Sequence, residues 1–196
     1  MNSNMEKNDI YIRPLRLDDI NAKYISWFNN NNVTKFLDAK NISIEESKNY
    51  LIEGIKSKSY YIYAICESNN NLHIGNIKIG PIRRLDAVTD LVTVIGNEDY
   101  WGKNIASRVI SMVIKEFISN SGIRKIIASI DSLNIASIHA YQNAGFNVEA
   151  RISDFFVHKK NGDYIFSDKI YFFYNNINYD LEKFNKWEPI LLEDIT

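Results

Sequence analysis

Residues 92–107, Val-Thr-Val-Ile-Gly-Asn-Glu-Asp-Tyr-Trp-Gly-Lys-Asn-Ile-Ala-Ser, constrain the chain more than any other stretch. They read as a buried strand, a short polar turn, and a helix that starts with Gly102 at its mouth. A helix start exposes backbone N–H groups that have no partner within the helix. Together with the helix dipole they form an anion site, suited above all to phosphate. Gly102 lets the backbone come close to a ligand, and Asn104 is among the few non-glycine residues that tolerate left-handed dihedrals. Ile105, Ala106, Val109, Ile110, Val113, Ile114 and Phe117 recur at helical spacing, which gives this helix a buried face. The stretch predicts a pyrophosphate-bearing ligand seated between a strand end and a helix start.

Composition excludes several alternatives. The chain has 196 residues, enough for one domain with a substantial core. Its 23 basic and 24 acidic residues nearly cancel, and no basic run interleaves with aromatics, so nucleic-acid binding is not expected. No apolar run approaches the roughly 18 residues of a membrane span. Residues 1–9 are polar and lack the core of a secretory signal. The single cysteine, Cys66, excludes an internal disulfide and fits a reducing compartment; it reads as a buried structural thiol rather than a nucleophile. No Cys/His/Asp spacing suggests a metal site. The expectation is a cytoplasmic globular protein with no membrane partner.

Taken in order, residues 10–16 read as a first strand cut short by Pro14. Asp18 and Asp19 suit a helix start, and Ile20, Tyr24, Trp27 and Phe28 form its apolar stripe. The asparagines at 29–32 stop it. A helical piece over 33–37 precedes an amphipathic helix over 43–58, with Ser43 as cap and Glu45 and Glu46 in its first turn. The period then changes to two, giving strands over 60–66, 72–79 and 87–95, the second ended by Gly80-Pro81. The helix over 103–120 stops before Gly122. Residues 124–131 are apolar on both faces, as a central strand requires. A helix over 135–144 is closed by Gly145, and strands over 146–157 and 164–174 flank a Lys160-Asn161-Gly162-Asp163 turn. Residues 175–196 carry weak signals and read as a C-terminal tail, packed or mobile. This order predicts an α/β fold with a sheet of mixed direction and a ligand beyond the carboxyl ends of its strands.

Two motifs carry a family resemblance. Tyr100-Trp101-Gly102-Lys103-Asn104-Ile105-Ala106 resembles the acyl-CoA pyrophosphate loop of the GNAT N-acetyltransferases, ribosomal-protein-acetyltransferase-like branch, where it commonly reads Tyr-Trp-Gly-Lys-Gly-Tyr-Ala. Residues 134–146 resemble the same family's Asn-x-x-Ser-x-x-x-Tyr-x-x-x-Gly-Phe segment, here with Asn134, Ser137, Tyr141, Gly145 and Phe146. The resemblance covers residues 10–174 and departs from the pattern at Asn104, where the family usually has glycine. It implies the GNAT fold, a mixed sheet of about seven strands splayed at the acetyl-CoA site with helices on both faces.

The resemblance further implies acetyl-CoA as donor and a primary amine as acceptor, joined by direct attack. N–H groups from Trp101, Gly102, Lys103, Asn104, Ile105, Ala106 and Ser107 would cradle the pyrophosphate, with the Lys103 side chain dispensable. Val94 and Ile95 would offer strand backbone to the pantetheine arm, which adds to a sheet edge like an extra strand. Asn134 would bond that arm and Ser137 would support it. Tyr141 would give a proton to the departing thiolate, since a phenol is protonated at neutral pH and still an acid of comparable strength to a thiol. Asn134 also suits a plain helix cap, and Tyr141 a tyrosine packed on the sheet. For the base that frees the amine, Asp90 in the strand and Glu98 in the loop are candidates, with His139 and His158 as alternatives.

Residues 24–37, with Tyr24-Ile25-Ser26-Trp27-Phe28-Asn29 and Val33-Thr34-Lys35-Phe36-Leu37, resemble a segment of certain relatives, as does Ile74-Gly75-Asn76-Ile77-Lys78-Ile79-Gly80-Pro81-Ile82. Those relatives are often bacterial enzymes that acetylate nucleotide-activated amino sugars of surface glycans. Trp27, Phe28 and Tyr100 could stack on a base or sugar, and Lys78, Arg83 and Arg84 could meet a diphosphate; equally, Trp27 reads as core and the arginine pair as a solvated turn. A protein N-terminus, a polyamine or a drug amine is the alternative acceptor. A non-catalytic acyl-CoA-binding module is the alternative class, and a homodimer is left open.

Overall fold

All seven residues of strand β2, Tyr61–Glu67, are buried, so both faces of this strand are covered. Around it lies a single seven-stranded sheet: β1 (Ile10–Pro14), β2, β3 (His73–Arg83), β4 (Val88–Ile95), β5 (Lys125–Asp131), β7 (Asp163–Asn175) and β6 (Asn147–Lys160), in that spatial order. Neighbours run antiparallel except β4 and β5, which are parallel. This computed structural model describes residues 9–196, without the side chains of residues 117–119. The polar residues 1–8 and the expected core contact of Phe117 lie outside the described residues.

The strand that was expected to end at Gly80-Pro81 runs on to Arg83. The ladder to β4 is irregular between Ile79 and Ile82, so Pro81, which has no N–H to give, sits where none is needed. The helix expected to start at Asp18 and Asp19 starts later: α1 spans Ala22–Phe28 and Asn21 caps it, accepting from Lys23 N–H at 3.0 Å. Asp19 is diverted to Arg13, whose guanidinium donates to both its oxygens at 2.6 and 2.7 Å. The asparagine run both stops α1 and starts α2 (Asn31–Thr34), because Asn30 accepts from Asn32 N–H at 2.9 Å. Helix α3 (Ile44–Ser57) has the reciprocal cap of Ser43 and Glu46.

Helix α4 (Ile105–Val113) passes into a π turn, Ile114–Ile118, before the short α5 (Ser119–Ser121), so the single helix expected over 103–120 is interrupted. Helix α6 (Ile135–Asn143) follows β5. After β7 the chain forms α7 (Leu181–Asn185) and buries Phe184, Ile190 and Ile195. Arg84 fastens this segment, donating to the carbonyls of Phe184 and Trp187, each at 3.2 Å. Arg84→Ala removes bonds of the charge-assisted kind, each worth about 1.5–3 kcal/mol before discounting for exposure. It should raise amide exchange over residues 181–195 while that of β2 and β3 stays slow. Equal protection in both proteins would show that the apolar contacts alone hold the segment.

His73, on β3, is enclosed by Trp27 and Tyr24, and its Nε2 meets Gly75 O and Asn76 Oδ1 at 2.9 Å. Burial, opposed by the Asn76 bond and the charge of Asp19, pulls the imidazole below its ordinary 6.5. A base with a lowered folded pKa is stabilising while neutral, so its contribution is full above the unfolded value. That contribution is lost as pH falls below about 6.5, where the unfolded chain takes up the proton first. Urea midpoints should therefore drop between pH 7.5 and 5.5, and drop less in His73→Gln. An identical pH slope in the variant would assign the effect to other groups.

Candidate active site

β4 and β5 pair only from Val88 to Asp90 against Lys125 to Ile127. Beyond Asp90 the strands diverge, and the β4 edge facing β5 has lost its ladder partner, although β3 still pairs with the other edge as far as Ile95. An unpaired strand edge inside a fold must find other partners. One carbonyl of that edge, Leu91 O, accepts the Tyr141 hydroxyl at 2.6 Å. The rest of the edge opens onto a cavity of about 640 Å³, lined there by Thr93, Val94 and Ile95.

The turn after β4 is built to hold a helix mouth open. Gly96 and Asn97 donate N–H bonds to Ile74 O, and Asn97 Oδ1 accepts from Asp99 N–H at 3.1 Å. Tyr100 reaches back to the buried Glu67 carboxylate at 2.7 Å, and Trp101 Nε1 donates to Ile95 O at 2.8 Å. Burial and the Glu67 carboxylate push the Tyr100 phenol up to about 12, so this tie is a neutral donor at physiological pH. Gly102 takes φ +72 with open space where a Cβ would sit, so glycine serves here for its dihedral freedom. Asn104 takes φ 58, a left-handed conformation that asparagine tolerates better than most non-glycine residues. Its side chain makes no cap, and the first intrahelical bond is Arg108 N–H to Asn104 O. The N–H groups of Ile105, Ala106 and Ser107 precede that bond, and all three residues line the cavity with Trp101, Gly102 and Asn104.

From the other side, α6 presents Asn134, Ala136, Ser137, His139, Ala140 and Asn143 to the same cavity. Asn134 Oδ1 caps the helix by accepting from Ser137 N–H at 3.2 Å, which leaves its amide N–H groups for a ligand. Tyr141 itself lies behind this surface, fully enclosed, with its ring edge-on to Phe146. Burial raises its pKa, so the proton stays on the phenol.

Other residues singled out from sequence lie elsewhere. Asp90 is half-buried on β4, where burial raises its pKa against the pull of Lys78, Arg83 and Lys169. Glu98 accepts from Asn32 Nδ2 at 3.0 Å, and Lys103 Nζ lies over the Tyr100 ring. None of these three is among the cavity-lining residues. The same holds for Trp27, Phe28, Lys78, Arg83 and Arg84. Trp27 and Phe28 are buried, Lys78 Nζ donates to Tyr50 OH at 3.1 Å, and Arg84 holds the C-terminal segment.

Another part of the cavity lining is formed by Asn32, Val33, Lys35, Phe36 and Leu37, a segment that sequence flagged only through its resemblance to relatives. Behind Phe36, His158 Nε2 meets Asp131 Oδ2 at 2.8 Å and Ser167 Oγ at 2.9 Å. Three strands contribute that cluster, and no local pattern announces it. Among the described residues no group of His, Cys, Asp and Glu could hold a metal ion, and no helix is long and apolar enough to cross a membrane.

The residues present fit acetyl-CoA. A free strand edge suits the amides of a pantetheine arm, and the N–H groups at the α4 start suit a pyrophosphate. Thr93 Oγ1 is buried with no hydrogen-bond partner among the described residues, an orphaned polar atom on the wall where the acyl end would arrive.

Comparison with known proteins agrees with this geometry. The model of the acetyltransferase (GNAT) domain matches residues 9–147. The fold is similar to spermidine N-acetyltransferase from Vibrio cholerae, solved with CoA and spermine: TM-score 0.75, 18% identity, 87% of this chain and 97% of that one covered. Ribosomal-protein-S5-alanine acetyltransferase from Vibrio fischeri gives 0.73 and 18%, with 87% and 95% covered. A GNAT acetyltransferase from Streptococcus pneumoniae gives 0.69 and 21%, with 86% and 100% covered. With its splayed sheet, open helix mouth and matching domain model, the chain belongs to the GNAT acetyltransferase family and uses acetyl-CoA to acetylate an amine.

Proposed function

We propose that the acceptor is the amino group of a nucleotide-activated amino sugar, in the cytoplasmic stage of bacterial surface-glycan synthesis. The charge of the cavity wall carries this reading. Among the described lining residues none is Asp or Glu, and the groups able to carry positive charge are Lys35 and His139. A polyamine of the kind bound in the Vibrio cholerae neighbour is a polycation and needs carboxylates around it. A sugar nucleotide is anionic and carries a flat base. Lys35 supplies a cation on the acceptor wall, and Phe36 beside it supplies a ring on which a base can stack.

In this reading the amine first loses a proton, directly or through water, to Asp90 or Glu98. Burial raises the pKa of Asp90, which favours its taking up the proton. The amine nitrogen then bonds to the thioester carbonyl carbon and the carbon–sulfur bond breaks. The departing thiolate takes a proton from Tyr141, the second proton shed by the new amide nitrogen returns through water to the phenolate, and Asn134 and the α4 N–H groups hold the donor in place. Thiol release should be measured against UDP- and dTDP-linked amino sugars beside spermidine and peptides. Turnover confined to the sugar nucleotides, with KM raised at least several-fold by Lys35→Ala, is the expected result. Turnover with spermidine or a peptide alone would overturn the acceptor assignment and leave the acetyl transfer standing.

A further inference from the structure

Two buried hydroxyls lie where β4 parts from β5, one tied and one idle. The Tyr141 phenol donates to Leu91 O at 2.6 Å. Thr93 comes two residues later on β4, so its side chain leaves the same face of the strand as that of Leu91. Its Oγ1 is buried with no hydrogen-bond partner among the described residues. A buried hydroxyl without a partner costs stability, so its place needs a reason. That reason involves the phenol. Burial raises the pKa of Tyr141, the Thr93 hydroxyl pulls it partly down again, and the charge of Asp90 adds to the rise. A hydroxyl lowers a phenol's pKa by donating to the charged oxygen. Thr93 therefore leaves the neutral phenol unbonded and is within reach of the phenolate.

In the transfer proposed above, the Tyr141 O–H bond breaks, its proton goes to the departing sulfur, and the electron pair stays on the phenolate oxygen. That oxygen then faces Leu91 O at hydrogen-bond distance with no hydrogen between them, and the carbonyl that was its partner repels it. We propose that Thr93 is the donor that takes over, its hydroxyl turning to the Tyr141 oxygen as the proton leaves and holding the phenolate until water returns a proton to it. A bond made only once charge has developed lowers the barrier without tightening the resting complex. The inference rests on Tyr141 as the acid and is independent of which amine is the acceptor.

The test is single-turnover thiol release from acetyl-CoA by the wild type, Thr93→Val, Thr93→Ser, Tyr141→Phe and the double variant Thr93→Val/Tyr141→Phe. The acceptor is whichever amine of the panel above the wild type turns over fastest. A hydrogen bond to a charged group predicts that Thr93→Val slows release about ten- to a hundredfold, with the Kd for acetyl-CoA within about twofold of the wild type. Thr93→Ser keeps the hydroxyl and should stay within about threefold of the wild type. The double variant should be no slower than Tyr141→Phe, because without the phenol there is no phenolate to hold. The urea midpoint of Thr93→Val should not fall, since the change removes an idle buried hydroxyl. Wild-type speed in Thr93→Val, an equal fall in Thr93→Ser, falls that multiply in the double variant, or a lowered midpoint in Thr93→Val would each overturn the role of Thr93. Any of these leaves Tyr141 as the acid so long as Tyr141→Phe is slow. Tyr141→Phe at wild-type speed, or a wild type silent toward every amine, overturns the acid and Thr93 together.

Discussion

Tyr141→Phe is expected to lower the turnover number by about a hundredfold or more, the span that a positioned acid contributes being about 10²–10⁴. Affinity for acetyl-CoA should be little changed, because Tyr141 lies behind the cavity surface. A stability loss should accompany it. The phenol donates to Leu91 O, a carbonyl that β5 no longer serves, and leaving it bare inside the protein costs about 1–3 kcal/mol. The two effects separate by measurement: urea unfolding reads the second, and thiol release by the folded variant reads the first. Burial raises the phenol's pKa, so it stays protonated across the physiological range. Any alkaline fall in activity must then come from another group. A folded Tyr141→Phe protein with turnover within about threefold of the wild type would reduce the tyrosine to a structural partner of Leu91.

Trp27→Ala should be the most destabilising of the substitutions considered, at about 3–5 kcal/mol, the usual cost of truncating a buried large aromatic. Trp27 is 5% exposed, sits edge-on to His73 with ring centroids 4.9 Å apart, and packs onto Gly96. A Cβ at Gly96 would lie 2.0 Å from the indole, so the glycine that opens the turn after β4 is also the floor under Trp27. Loss of the indole therefore loosens the turn that carries the pyrophosphate loop. The denaturant midpoint measures the effect. A platform for substrate stacking would behave differently: stability within about 0.5 kcal/mol of wild type and a raised acceptor KM.

The contrast between Trp27 and Gly102 shows what the sequence can and cannot reveal. The backbone of the proposed pyrophosphate loop was legible because its signals are local. A strand end, a glycine, a tolerant asparagine and a helix start occupy consecutive positions, and the structure gives Gly102 and Asn104 the left-handed dihedrals that those residue types favour. Strand positions were legible for the same reason, since alternation is a short-range pattern. The acceptor wall was not. Lys35 and Phe36, just after α2, line the cavity, while Trp27, Lys78 and Arg84, equally plausible by residue type, are turned to core packing and surface contacts. Nothing local distinguishes an arginine that meets a diphosphate from one that holds Phe184 O and Trp187 O. The C-terminal segment was unreadable because Phe184, Ile190 and Ile195 are buried from a five-residue helix, a four-residue 3-10 turn and the chain between them, each too short to show a period.

The short ladder between β4 and β5 also bears on how the molecule holds together. Within the sheet's own ladder, three register pairs join the half-sheet β1 to β4 with the half-sheet β5, β7 and β6, and parallel pairing of strands separated by a crossover forms slowly. A donor molecule bound along the rest of that seam would complete the joint between the halves. At a hundred times its Kd it adds about 2.7 kcal/mol of stability. An enzyme charged with acetyl-CoA is therefore expected to melt later than the empty one, in whose sheet only the short β4–β5 ladder spans that seam.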